Sequence, residues 1–174
     1  PMRNSTLLKH IASLWDTEIV PRLTEYIRVP AKSPHFDPHW EANGYIEQVI
    51  TQALAWVRRQ PVRGLTAEIV RLPARTPVLF FDIPASGAAE SSATILIYGH
   101  LDKQPETTGW RDGFGPWEPR FEDGKLYGRG GADDGYAVYA AIAALGAVEA
   151  SGGAHARCTG IIETCEESGS YDLP

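Results

Sequence analysis

Residues 94–102 read Thr94-Ile95-Leu96-Ile97-Tyr98-Gly99-His100-Leu101-Asp102, an uncharged, β-branched and aromatic run that gives way to a glycine, an imidazole and a carboxylate. Thr94–Tyr98 predicts a β-strand, and the polar residues after it predict a turn at its carboxyl end. Downstream, Asp134 to Ala150 holds seven alanines with Val138, Ile142, Leu145 and Val148 and opens on an Asp, which predicts a helix with an acidic N-cap. Gly160–Cys165 reads as a second buried strand. Strand, helix, strand is the pattern of an α/β fold with a mainly parallel or mixed sheet flanked by helices, and ligands of such sheets gather beyond the carboxyl ends of the strands.

Upstream, apolar residues from Leu7 to Ile27 recur at three- and four-residue steps, predicting an amphipathic helix over Thr6–Ile27 with a kink at Pro21. The Pro-containing stretch Val29–His39 predicts a loop, and Trp40–Arg59 a second helix. Ala67–Leu72 and Val78–Ile83 read as strands, and Val78–Ile83 and Thr94–Tyr98 carry so few charges that burial on both faces is expected. Gly109–Gly131, rich in Gly, Trp, Pro and charge, predicts a long functional loop with a short strand at Lys125–Tyr127.

The 174 residues fit a single domain, and 43% hydrophobic with 22% charged residues excludes a disordered chain. A net charge of -6 gives no general attraction to nucleic acid or anionic membrane. No apolar run approaches the roughly 18 residues of a membrane span. Cys158 and Cys165 are too few for a disulfide framework and read as core thiols, which suits a reducing, cytoplasmic setting.

The sheet grammar brings three polar clusters toward one edge: Gly99-His100-Leu101-Asp102, Gly128-Arg129-Gly130-Gly131-Ala132-Asp133-Asp134, and Glu166-Glu167-Ser168-Gly169. Imidazole and carboxylates at strand ends suit a divalent cation such as zinc or manganese. An Asp two residues after a His can accept its ring N–H and fix the tautomer. Adjacent carboxylates at Glu166 and Glu167 point in different directions, so one can bind metal while the other moves a proton. Each cluster alone suits a structural turn or cap; their joint occurrence favours a site.

In order and spacing, Gly99-His100-Leu101-Asp102-x-Gln104-Pro105, Gly109-Trp110, Gly124-Lys125-Leu126-Tyr127-Gly128-Arg129-Gly130, Ala132-Asp133-Asp134 and Glu166-Glu167-Ser168-Gly169-Ser170 resemble the zinc-dependent exopeptidases. These include carnosinases, cytosolic nonspecific dipeptidases, glutamate carboxypeptidases, aminoacylases and succinyl-diaminopimelate desuccinylase. The His-Leu-Asp-x-Gln-Pro wording is nearest the dipeptidase and carnosinase branch. The resemblance implies two zinc ions, with manganese or cobalt as substitutes. His100 and Glu167 would each bind one ion, Asp133 would bridge them, and Asp102 would orient His100. Glu166 would be the general base that deprotonates water and hands the proton to the leaving amine. The implied substrate is a dipeptide or N-acyl amino acid, the Asp133–Asp134 peptide is expected to be cis, and the intact enzyme is expected to be a homodimer.

The resemblance makes residues 1–174 one partial catalytic domain, incomplete at the C-terminus. A further acidic ligand, a distal His and a lid and dimerisation domain are expected beyond Pro174. Gly135-Tyr136 departs from the Lys-Gly that most relatives carry after the Asp pair. The alternative is a non-catalytic fragment or interaction protein with an incomplete metal site. A dinucleotide fingerprint is excluded at Gly128-x-Gly130-x-x-Asp133, where a carboxylate would repel pyrophosphate. His35 and His39 flank Asp37 as a solvated loop pair, His10 and His155 read as surface positions, and Arg129 is expected to pair a carboxylate and hold the long loop. Trp110 and Trp117 suit either a substrate pocket or burial over the sheet end.

Overall fold

Helices bury one face of a four-stranded sheet in the computed structural model, which describes residues 4–87 and 93–173. The chain opens with α1 (Asn4–Leu14), a π turn at Trp15–Ile19 and α2 (Val20–Arg28). Pro21 has no N–H to give, and the wider turn just before it absorbs that loss, so the predicted kink is a π turn within one continuous helical run. The second predicted helix divides into α3 (Trp40–Asn43) and α4 (Tyr45–Val57) at Gly44, whose φ of 71° is a left-handed conformation suited to glycine.

The sheet runs in the order β1 (Thr66–Val70), β2 (Val78–Ile83), β6 (Arg157–Glu163), β3 (Thr94–His100). β1–β2 and β2–β6 pair antiparallel and β3–β6 parallel, so the sheet is mixed rather than mainly parallel. α5 (Ala137–Ala150) makes the crossover from β3 to β6. Between them, the long loop contains a hairpin of β4 (Arg120–Glu122) and the expected strand, β5 (Lys125–Tyr127).

The core joins Leu23, Ile27, Ile50 and Trp56 of the opening helices to Leu79, Phe81 and Ile83 of β2, Ile142 of α5 and Ile162 of β6. Gly160 lets the Phe81 ring cross the sheet, since a Cβ there would lie 1.9 Å from Cζ. Cys158 and Cys165 are buried and free, as expected of core thiols.

The expectation that two strands are buried on both faces is corrected. β2 alternates buried and half-buried residues, and β3 is an edge strand with Leu96 64% and Tyr98 50% exposed. An apolar run records what a strand can bury but not which of its sides the fold covers. His155 is likewise buried, its ring between the Ala156 carbonyl at 2.8 Å and Glu149 at 3.4 Å.

Candidate metal centre

β3 and β6 are parallel neighbours with His100 in register with Glu163, so the turns that leave both strands emerge at the same end of the sheet. β3 ends in His100, β6 leads through Thr164 and Cys165 into the 3-10 turn Glu166–Ser168, and the turn Gly131–Gly135 before α5 lies against both. One ligand atom from each of His100, Asp133 and Glu167 falls within 4.8 Å of the others. His100 Nε2 is 3.2 Å from Asp133 Oδ1 and 3.7 Å from Glu166 Oε2.

These side chains are held on their outer sides. His100 is buried, and its Nδ1 faces the Asp102 carbonyl at 3.1 Å and the Asp102 carboxylate at 3.4 Å. That leaves Nε2 turned to the carboxylates. The wholly buried Asp102 carboxylate accepts the amides of Glu166 at 3.1 Å and Glu167 at 2.9 Å. Gln104 Nε2 donates to Glu167 Oε2 at 2.5 Å. Glu167 Oε1 is buried without a hydrogen-bond partner, so a lone pair there awaits a Lewis acid. Asp133, by contrast, has a 69% exposed side chain. One imidazole with two carboxylates, one of them carrying that orphaned oxygen, is a donor set that fits a divalent cation.

Electrostatics reflect the crowding. Burial pulls the His100 imidazolium down, but the Asp102 hydrogen bond and charge, with Glu166, outweigh it and hold the ring near 9. Burial raises Glu167, opposed by the Gln104 bond and reinforced by the Asp133 charge. Burial also raises Asp134. In a protein without metal His100 retains a proton that a cation would displace.

The Asp133–Asp134 peptide is cis. Asp134 is not the N-cap of α5: that helix starts at Ala137 with no side-chain cap, and the Asp134 carboxylate accepts the His100 amide at 3.2 Å. Arg129 does hold the long loop, but through the Pro105 carbonyl at 3.2 Å and Thr107 Oγ1 at 2.9 Å instead of a carboxylate. His35 and His39 are exposed and are not members of the donor set, while Asp37 between them is buried on Asn43. Trp110 and Trp117 are both half-buried, with the Trp110 indole donating to the Glu106 carbonyl at 2.9 Å.

Ser33, which no motif singles out, completes the surroundings. Ser33 Oγ lies 2.6 Å from Ser168 Oγ, which also accepts the His35 amide, and Ser33 N–H donates to the Lys103 carbonyl. Thus the loop after α2, which carries none of the three donors, clasps the segments that bear His100 and Glu167. Its Pro-rich composition indicates a loop; nothing in it names the partner.

The profile of Peptidase family M20/M25/M40 matches residues 96–173. Over 100 residues the chain is 38% identical to the Beta-Ala-His dipeptidase of Homo sapiens, covering 56% of this chain and 19% of that protein. Over 151 residues it is 31% identical to the succinyl-diaminopimelate desuccinylase of Gluconacetobacter diazotrophicus, covering 83% of this chain and 34% of the relative. The crystal structure of human carnosine dipeptidase 1 superposes with a TM-score of 0.73 at 27% identity, covering 99% of this chain and 37% of that one. The chain therefore spans well under half the length of each.

Proposed function

We propose, given that residues 96–173 place this chain in the M20/M25/M40 peptidase family, that its donor cluster is the metal centre of a hydrolase cleaving the amide bond of a dipeptide or N-acyl amino acid. The observation that carries this is the convergence of His100, Asp133 and Glu167 within 4.8 Å. His100 and Glu167 would each hold one zinc ion and Asp133 would bridge the two. Bound divalent cations supply Lewis acidity at the scissile carbonyl and at the attacking water.

The chain's own groups supply the proton handling. Glu166 carries a 40% exposed carboxylate beside the cluster and would accept the proton of water and pass it to the leaving amine. Asp102 would keep His100 Nε2 turned to the metal while its carboxylate fixes the backbone of both glutamates. The homodimer implied by the resemblance and a cytoplasmic setting belong to the same proposal, the latter supported by two buried free thiols.

Three donor residues shared between two ions leave each with two, one short of the usual three for catalytic zinc. The 174 residues alone would therefore bind zinc weakly and not turn over a dipeptide. Calorimetric zinc titration of the chain with a dipeptide cleavage assay tests this. Tight uptake of two zinc ions, or chelator-sensitive turnover, contradicts it.

A further inference from the structure

We propose that Lys103 is a positioning residue of the metal centre, fixing the His100 turn against the Asp133 turn through Tyr26; this rests on reading His100, Asp133 and Glu167 as ligands. Lys103 is wholly buried, a placement lysine rarely tolerates without strong partners. Its partners are carbonyls and rings instead of a carboxylate. Nζ donates to the carbonyls of Tyr26 and Val29, each at 2.7 Å, and stands 3.9 Å from the centroid of the Tyr26 ring and 5.3 Å from that of Trp117. Those carbonyls lie at the C-terminal end of α2, where each accepts one backbone amide and keeps a second lone pair, and where the negative end of the helix favours a cation. The face of an aromatic ring adds to that preference.

Tyr26 carries the connection onward. Its hydroxyl donates to the carbonyl of Leu101, the residue after His100, at 3.0 Å. Its ring lies so close to Gly135 that a Cβ there would come within 2.2 Å of Cε1. The stem of Lys103 in turn packs on Gly130, where a Cβ would meet Cε at 2.8 Å. Gly130 and Gly135 open and close the turn that presents Asp133, joined by the Gly135 N–H to Gly130 carbonyl bond at 2.8 Å. One lysine–tyrosine pair thus touches both ends of the Asp133 turn and the backbone next to His100. Removing the ammonium would leave each of the two buried carbonyls with a single backbone amide, from Val29 and Ala31, and release the ring that spaces the turns.

Lys103→Met keeps the stem and removes the charge; Tyr26→Phe keeps the ring and removes the Leu101 bond. Each is compared with the unmodified chain by cobalt(II) titration followed in the visible spectrum, and by amide hydrogen exchange. Lys103→Met should weaken cobalt binding about tenfold or more. It should also speed exchange at the His100 and Gly135 amides while those of β2 and β6 hold, and Tyr26→Phe should do the same more mildly. Even acceleration across the chain with cobalt affinity intact, or no change at either amide, overturns the proposal. If Lys103→Met fails to fold, Tyr26→Phe decides. Should the unmodified chain take up no cobalt, the metal reading fails and the exchange pattern alone decides the role of Lys103.

Discussion

The Asp102 carboxylate accepts the Glu167 amide at 2.9 Å, so the residue that flanks one candidate ligand, His100, also fixes the backbone of another. One donor ends β3, the other lies in the turn after β6, and they are 67 positions apart in sequence, yet one buried side chain sets their relation. Asp102→Ala should leave the Glu166 and Glu167 amides without their acceptor, costing about 1–3 kcal/mol of stability. It should also weaken divalent-cation binding by roughly 10–100-fold. Urea unfolding and a cobalt titration check both, and loss of stability with full affinity would make Asp102 purely structural.

Glu166→Gln separates proton handling from metal binding. In the whole protein it should abolish turnover and leave metal content nearly unchanged, because the geometry places Glu167, not Glu166, in the donor cluster. Metal analysis beside a dipeptide assay reads the two effects independently. Loss of metal in this variant would move Glu166 into the ligand set.

The raised His100 value predicts a definite pH dependence. With a folded value near 9 against 6.5 for a free imidazole, the stability His100 contributes is present in full below pH 6.5 and is lost as pH rises through 9. Lys103, pushed by burial from 10.5 down to about 7, acts with opposite sign over much of that window. The imidazole resonances of His100 are therefore the cleaner readout than global stability. In the metal-free chain they should titrate near pH 9, and Asp102→Asn should bring the midpoint down. Cation affinity should rise with pH up to about 9, since binding displaces that proton.

Gly160→Ala tests the packing that positions β6. A methyl there meets the Phe81 ring, so the variant should lose about 1–3 kcal/mol, and Phe81→Leu in the same chain should recover part of it. Thermal unfolding of the single and double variants measures the coupling.

Much of this site is legible in the sequence because its residues sit where periodicity changes. The β-branched run before His100, the alanine-rich helix after Asp134 and the strand before Glu166 make a βαβ unit, and that unit brings its strand ends together. The edge position of β3 is hidden because hydrophobicity does not say which side of a strand is covered. Asp134 reads as a helix cap because an Asp before an apolar helix usually is one; here the carboxylate serves the His100 amide instead. Lys103 and Tyr26 give no signal at all, since a lysine beside a motif and a tyrosine in an amphipathic helix both look like surface and core. Only the fold brings α2 against the turns that bear His100 and Asp133.

The most direct test of the metal centre is a cobalt(II) titration of the unmodified chain, His100→Ala, Glu167→Gln and His39→Ala as a control on an exposed histidine. The account predicts binding weaker than about 1 µM in the unmodified chain and in His39→Ala. It predicts at least roughly tenfold weaker binding in His100→Ala and Glu167→Gln. Equal affinity in all four proteins, or loss only in His39→Ala, would contradict it.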